Sequence, residues 1–230
     1  MPELKNFVAV DWRAGKDRIY FFFKDTNTYS RFNIGDNEVP AGYPSPVEGS
    51  WDTLNDVKNL RFGFTTTGFP RKSVLFDDRD ILWLFSYQNK TPVVTWYNQD
   101  TDKVMGQQYV EHSMWHRLQP YFERIVGGTW WPRPANDKYF RFLLSDGTTV
   151  SANLERDTIC HDTINENNWP GLSRYKHRII SVAQNDRTSD SSVLYIFLTN
   201  HEYLRYDMSK SRTYGPKSVN DGTWPGLLRD

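Results

Sequence analysis

The motif Trp-x-x-Leu recurs four times along the chain, and this recurrence constrains the fold more than any other feature of the sequence. The tryptophans are 64, 54 and 55 residues apart, and the last copy lies close to the end of the sequence. Repeats of this length at nearly constant spacing are typical of proteins built from one stacked supersecondary unit. The four copies are Trp51–Leu54, Trp115–Leu118, Trp169–Leu172 and Trp224–Leu227.

Each unit contains the same three segments in the same order before its Trp-x-x-Leu. A run of apolar or small residues comes first, a strongly aromatic run follows, and a third run comes after a tight polar turn. Asn, Asp and Gly in these turns predict that the second and third runs pair as a hairpin. The first runs are Phe7–Trp12, Leu60–Thr65, Ile125–Trp130 and Ile179–Ala183; the aromatic runs are Ile19–Phe23, Ile81–Tyr87, Tyr139–Leu144 and Val193–Leu198; the third runs are Tyr29–Ile34, Val93–Tyr97, Thr149–Leu154 and Tyr203–Met208.

A unit of three or four strands with so many rings cannot bury both of its faces alone. Aromatic residues make up 16% of the chain, and rings suit the pleated, half-buried surface of a sheet. Closure of four units into a circle buries both faces of every unit, which predicts an all-β, four-bladed β-propeller. A β-sandwich or two separate barrels are the alternatives. We expect one domain over 1–230, with blades at about 6–56, 57–120, 121–174 and 175–230.

The charge and cysteine content exclude several classes of function. The 28 basic and 28 acidic residues cancel, so no basic excess indicates a nucleic-acid partner. No apolar run is long enough for a signal peptide or a membrane helix, so we expect no membrane partner. Cys160 is the single cysteine, which excludes an internal disulfide and favours a reducing compartment. The sequence therefore predicts a cytoplasmic protein.

The segments YFFF, YSRFN and GYPSPVEGSW of the first unit, with YIFL, EYLRYD and GPKSVNDGTWPGL of the fourth, resemble the repeats of the hemopexin-like family. The resemblance covers the whole chain, is moderate in the third unit and is weakest in the second. In length and lack of disulfides the chain is similar to plant seed albumins and to microbial stand-alone members. The resemblance implies one propeller blade per repeat and inner strands that line a central channel.

The resemblance also implies that an axial cation is conceivable in the channel, although no cofactor and no side-chain metal site is predicted. Inner strands of the family typically begin with Asp and two small residues, and none of the four stretches here keeps that Asp. Asp11 and Arg61 lie where the family prefers other residues. A channel with individual side chains, suited to a specific ligand, is implied instead.

Rings and polar groups follow the inner strands at one shared place, where the chain reaches the rim of the channel. They occur in Asp11-Trp12-Arg13, Trp130-Trp131-Pro132 and Gln184-Asn185-Asp186-Arg187. An apolar floor with a few polar groups is the usual composition of a small-molecule site. Packing between blades is the alternative role for the tryptophans. The predicted ligand-binding residues are Asp11, Trp12, Arg13, Arg61, Phe64, Trp130, Trp131 and Gln184.

Other motifs carry weaker signals. Cys160 and His161 are neighbours on a predicted strand, where successive side chains point to opposite faces and cannot form a catalytic pair. His112 and His116 would share a face if they lay on a helix, but two ligands rarely hold a metal unaided. His177 and His201 are isolated. No glycine-rich phosphate loop, Cys-x-x-Cys pair or Gly-x-Ser-x-Gly elbow occurs in the sequence.

These observations leave three functions open. The first is capture of a small molecule of the polyamine, glycan or haem class, or of a partner, at the channel mouth; a homodimer is a further expectation. The second is a cofactor-independent enzyme of secondary metabolism, of the cyclase or cycloaddition type, that uses Asp11, Arg13 and Arg61. The third is a storage or scaffolding protein without a specific ligand.

Overall fold

The computed structural model describes residues 4–69, 79–132, 138–185 and 192–229. The protein is all-β, with 50% of its residues in strands and 7% in helices. Four antiparallel sheets of four strands form a ring, so the predicted four-bladed β-propeller is confirmed.

Each blade runs from an inner strand to an outer one in chain order. Blade 1 contains β1 (Phe7–Trp12), β2 (Arg18–Phe23), β3 (Thr28–Asn33) and β4 (Ser45–Pro46), and blade 2 contains β5 (Leu60–Thr67), β6 (Asp80–Gln88), β7 (Thr91–Asn98) and β8 (Lys103–Tyr109). Blade 3 contains β9 (Ile125–Trp130), β10 (Tyr139–Leu144), β11 (Thr148–Asn153) and β12 (Thr158–Thr163), and blade 4 contains β13 (Ile179–Asn185), β14 (Val193–Leu198), β15 (Glu202–Asp207) and β16 (Arg212–Ser218).

The hairpin turns between the second and third strands have the backbone angles that the sequence predicts. Asn27 and Asn200 have φ angles of 54° and 65°, and Gly147 has a φ angle of 81°. Asn and Gly tolerate this left-handed region at the lowest cost, which explains their place in the turns. In blade 2, Asn89 and Lys90 adopt the same region, with φ angles of 50° and 68°.

The inner strands pack against one another in the cycle β1, β5, β9, β13 and back to β1. Side chains connect three of these junctions: Ser181 accepts a hydrogen bond from the Ala9 amide (2.9 Å), Asp11 accepts one from the Thr65 amide (3.0 Å), and Thr129 donates one to Gln184 (2.7 Å). At the β5–β9 junction, a Cβ on Gly128 would lie 2.8 Å from the Phe64 ring. A residue without a side chain therefore lets these two strands approach.

The tryptophan of each Trp-x-x-Leu is buried between its own blade and the next one. Trp51 packs with β1 and β6, and Trp115 packs with β5 and β10. Trp169 belongs to the cluster between blades 3 and 4, and Trp224 contacts Phe21 and Phe32 of blade 1. The last tryptophan therefore closes the ring, which explains why the motif recurs once per blade.

The helical segments are short and of the 3₁₀ type. They span Val110–His112, His116–Arg124 and Ser173–Tyr175. Within the parts of the chain that the structure describes, none of them has the length and apolar character that crossing a bilayer requires.

Candidate functional site

The four inner strands end at one rim of the ring, and a shallow pocket lies there. Its volume is about 560 Å³. We call it the rim pocket and define it by the residues of all four blades that line it: Arg13, Thr67, Asp80, Trp130, Trp131 and Gln184. Since a propeller brings equivalent strand ends together around its axis, residues distant in sequence converge at this place.

A buried ion pair lies at the base of the rim pocket. The Arg13 Nε donates to the Asp11 Oδ2 at 3.0 Å, and the two side chains are 10% and 4% exposed. The other carboxylate oxygen, Oδ1, accepts from the Thr65 amide. Burial raises the pKa of Asp11, although Arg13 and the Thr65 amide act in the opposite direction. Asp11 therefore positions Arg13, and both of its carboxylate oxygens are occupied within the protein.

Gln99 connects the loop after β1 to blade 2. Its Oε1 accepts from the backbone amides of Arg13 (2.7 Å) and Ala14 (3.2 Å). Its Nε2 donates to the Thr65 hydroxyl at 2.8 Å. A buried side chain with its polar groups satisfied in this way fixes the path of the loop that carries Arg13.

A chain of polar contacts leads from Arg13 to Asp80 at the start of β6. The Arg13 Nη1 donates to the Thr67 hydroxyl at 3.3 Å, and that hydroxyl donates to the Asp80 Oδ1 at 2.5 Å. Asp100 accepts from the Asp80 amide at 3.0 Å. Burial raises the pKa of Asp80, and the negative charges of Asp100 and Asp11 add to this, while Thr67 and Arg13 oppose it. Asp80 is thus a half-buried carboxylate in a locally negative region that reaches the pocket.

Two tryptophans form the apolar side of the rim pocket. The Arg13 Cζ lies 5.6 Å from the centroid of Trp130. Trp131 meets Trp169 edge-on at 5.5 Å, and the Arg141 Cζ lies 4.7 Å from its centroid. Both rings are partly exposed and both contact guanidinium groups, which is the arrangement in which indole faces attract cations.

The structure brings together some of the predicted ligand-binding residues and separates others. Arg13, Trp130, Trp131 and Gln184 line the rim pocket, and Asp11 lies directly beneath Arg13. Gln184 is 1% exposed. It accepts a hydrogen bond from Thr129, so most of its surface serves the β9–β13 junction. Asp186 and Arg187, which the sequence placed at the same rim, lie outside the described residues.

Trp12 and Phe64 pack between blades instead of lining the pocket. Trp12 is 6% exposed, meets Trp51 edge-on at 5.7 Å and donates to the Ala14 carbonyl. Phe64 is fully buried in the cluster between blades 2 and 3. Packing between blades was the alternative role considered for such rings in the sequence. Trp12 and Phe64 have this role because their side chains face a neighbouring sheet.

Arg61 is separated from the pocket by the length of β5. It is the second residue of that strand, and Thr67 ends the strand at the rim. The Arg61 Nη2 donates to the carbonyl of Glu123, just before β9 begins. The structure therefore does not bring Arg61 together with Asp11 and Arg13, and a role of Arg61 in ligand binding stays a prediction from the sequence.

The histidine and cysteine motifs do not assemble a catalytic or metal site within the described residues. His112 and His116 lie in two separate 3₁₀ segments, where they pair with Glu111 and Asp157 respectively, so the shared helical face is absent there. Cys160 is exposed on β12, and the neighbouring His161 contacts the Thr148 hydroxyl at 2.9 Å. Among the residues placed in the structure, no three His, Cys, Asp or Glu side chains gather as a metal site.

Five residues of the polar network around Asp11 and Asp80 were not predicted as site residues from the sequence: Thr65, Thr67, Asp80, Gln99 and Asp100. Asp80 carried a usable signal, since it is a charged residue immediately before the apolar run of β6. Gln99 lies in an ordinary polar turn after β7, and its partners are 86 and 34 residues away. The role of Gln99 depends on how blade 1 docks against blade 2, and no local sequence pattern predicts this docking.

No protein-family model and no curated protein matches the sequence. Among solved structures, the chain is similar to Sqt1 of Saccharomyces cerevisiae at 13% identity and a TM-score of 0.34. The similarity covers 96% of this chain and 53% of the Sqt1 chain, so the chain spans about half of that structure's length. A similarity this low carries no argument, and the propeller assignment rests on the strand order and the ring of sheets. The resemblance to hemopexin-like repeats stays a prediction from sequence motifs.

Proposed function

We propose that this protein binds a small organic cation of the polyamine class at the rim pocket. The observation that carries the proposal is the half-buried Asp80 carboxylate. Its pKa is raised by burial and, to a smaller extent, by the neighbouring Asp100 and Asp11. Among the described residues of this polar network, the carboxylates of Asp11, Asp80 and Asp100 outnumber the guanidinium of Arg13. Burial is the main cause of the raised pKa of Asp80, and an amine bound beside Asp80 would stabilise the carboxylate that burial disfavours.

The composition of the pocket favours this class over the others that the sequence left open. The apolar surfaces of Trp130 and Trp131 suit the methylene segments between amines. Haem requires a positioned imidazole, and the lining contributed by the described residues contains no histidine. A glycan is the next candidate, because indoles also stack on sugar rings.

Binding is preferred to the enzyme alternative because of the environment of Asp11. Its side chain is 4% exposed, and both carboxylate oxygens are engaged by Arg13 and Thr65. A general base needs an oxygen within reach of a substrate proton. The cytoplasmic location, a homodimer and an axial cation stay predictions of the sequence.

Replacement of Asp80 by Asn tests the proposed function. We expect spermidine to bind the unaltered protein and to bind Asp80→Asn about tenfold more weakly, since a lost charge contact of about 1.4 kcal/mol corresponds to that factor. Isothermal titration at pH 7 measures both affinities. Glu155→Gln removes an equally negative, exposed side chain of blade 3 and should leave the affinity unchanged. Equal affinities for Asp80→Asn and the unaltered protein would contradict the proposal, as would binding of maltotriose without binding of spermidine.

The same variant should be more stable than the unaltered protein at pH 7. The pKa of folded Asp80 lies above its ordinary value of 3.8, so ionisation costs more in the folded state than in the unfolded chain. The stability contributed by Asp80 is therefore lost as pH rises from about 4 through the folded pKa, and Asn removes this loss. Thermal melts at pH 4 and pH 7 should show a gain for Asp80→Asn at pH 7 only.

A further inference from the structure

Blade 2 contains a second cavity, of about 330 Å³, that shares none of its lining residues with the rim pocket. We call it the blade 2 cavity and define it by Trp83, Trp96, Met105, Met114 and Trp115. Among the described residues, the large hydrophobic side chains that are exposed are Met105, Tyr109, Met114 and Tyr214. Met105 and Tyr109 lie on β8, and Met114 lies between the two 3₁₀ segments that follow it, so exposed apolar surface is concentrated beside this cavity.

Indole rings form the walls of the blade 2 cavity. Trp83 and Trp115 are buried and meet edge-on with centroids 5.4 Å apart. Trp96 is partly buried, and its centroid lies 6.2 Å from that of Trp83. The Trp83 Nε1 donates to the Thr66 hydroxyl at 2.9 Å. That indole is thus fixed by a hydrogen bond on its far side and offers its carbon surface to the cavity.

A glycine holds the third indole in place. Gly106 on β8 pairs with Trp96 on β7, and a Cβ built on Gly106 would lie 2.3 Å from the Trp96 Cζ2. Only a residue without a side chain lets the Trp96 ring lie this close to the backbone of β8. Replacement by alanine would therefore push the ring out of its position.

Several polar groups at this cavity are already engaged within the protein, whereas the buried Trp115 Nε1 has no hydrogen-bond partner among the described residues. The Gln108 Nε2 donates to the His112 carbonyl, and the Ser113 hydroxyl donates to the Val110 carbonyl and accepts from the Trp115 amide. Arg79, the charged residue among the described lining, has its own interaction in the protein. The cavity consequently offers a ligand carbon and sulfur surface together with one indole N–H, that of Trp115.

We propose that the blade 2 cavity binds a small, uncharged aromatic molecule of one or two fused rings. The volume lies at the lower end of the range for ligand pockets, which limits the size of the molecule. The three indoles provide edge-to-face and offset contacts for a ring. Met105 and Met114 at the opening add thioether–aromatic contacts and adapt their conformations to the ligand.

The test uses 2-naphthol and decahydro-2-naphthol, which have the same carbon skeleton with and without aromatic character. The protein is labelled with ¹³C at the methionine methyl groups, and each compound is titrated while the methyl signals are followed by NMR. We expect 2-naphthol to shift the Met105 and Met114 signals through its ring current and to bind at least about fivefold more tightly than its saturated analogue. Met208 lines the rim pocket and should not shift.

Two variants and one control variant locate the binding. Met105→Lys places a charge at the opening and should weaken 2-naphthol binding at least about fivefold, whereas Tyr214→Lys changes an equally exposed residue on blade 4 and should not. Gly106→Ala should weaken it as well. Unshifted Met105 and Met114 signals at 1 mM 2-naphthol, a shift of Met208 alone, or equal affinity for the saturated analogue would each overturn the proposal. Spermidine binding at the rim pocket is measured separately and does not depend on this result.

Discussion

Trp115→Ala should lower the free energy of unfolding by about 3–5 kcal/mol, the usual cost of truncating a buried Trp or Phe. Trp115 is fully buried between blades 2 and 3. Its ring lies 4.8 Å from Phe140 of blade 3 and 5.5 Å from Phe64 of blade 2. The substitution therefore loses the transfer free energy of the buried indole. It also leaves a cavity at the interface between the two sheets, which the surrounding side chains fill only in part.

Urea unfolding followed by far-ultraviolet circular dichroism measures this effect without relying on tryptophan fluorescence. Met114→Ala is the matched control, since Met114 is the preceding residue and is 40% exposed. We expect this control to change stability by no more than about 0.5 kcal/mol. A loss below about 1 kcal/mol for Trp115→Ala would contradict the role of the repeated tryptophan as the joint between blades.

Asp11→Ala should cost about 3–5 kcal/mol, because it leaves the Arg13 guanidinium buried without its carboxylate. Arg13 is 10% exposed, and the Asp11 oxygens also bond the Thr65 amide of the neighbouring blade. The pair is not itself a large source of stability, since burial raises the pKa of Asp11. The expected loss comes from a buried guanidinium that loses its direct carboxylate partner and from an unpaired Thr65 amide. Urea titration of the variant at pH 7 measures it.

A double variant separates these two explanations. Asp11→Ala with Arg13→Gln removes both charges while the Thr65 amide stays without its acceptor, so it should recover most of the stability lost in Asp11→Ala if the charge is the main cause. If the double variant is as unstable as Asp11→Ala, the charge of Arg13 is not the cause of the loss. Spermidine affinity of the folded double variant then reports whether Arg13 has a separate effect on the rim pocket.

The repeat and its inner strands could be predicted from the sequence because every blade buries the same kinds of residue. The predicted runs Phe7–Trp12 and Ile125–Trp130 coincide with β1 and β9. The outer strands could not be located in this way. Residues of β8 and β16 are mostly exposed, so these strands carry no burial pattern that would distinguish them from polar loops.

The rim pocket could be predicted only in part. Residues directly after an inner strand, such as Arg13 and Trp131, follow from the repeat once it is identified. Thr67 and Gln99 do not, since their contacts depend on the docking of one blade against another. The packing of Trp12 and Phe64 between blades could not be predicted for the same reason. The register of a strand decides which of the two neighbouring sheets each of its side chains contacts. A register shift of one residue moves every side chain to the opposite face of the sheet.

The measurement that tests ring closure most directly is the nuclear Overhauser effect between the Trp224 indole and the Phe32 ring. Their centroids lie 4.6 Å apart, although blade 4 and blade 1 are at opposite ends of the chain. With specifically labelled tryptophan and phenylalanine, we predict a cross-peak of strength similar to that between Trp224 and Phe197 of its own blade, at 5.3 Å. A spectrum in which Trp224 shows the Phe197 contact and no contact with Phe32 would contradict the closed four-bladed ring and the pocket built on it.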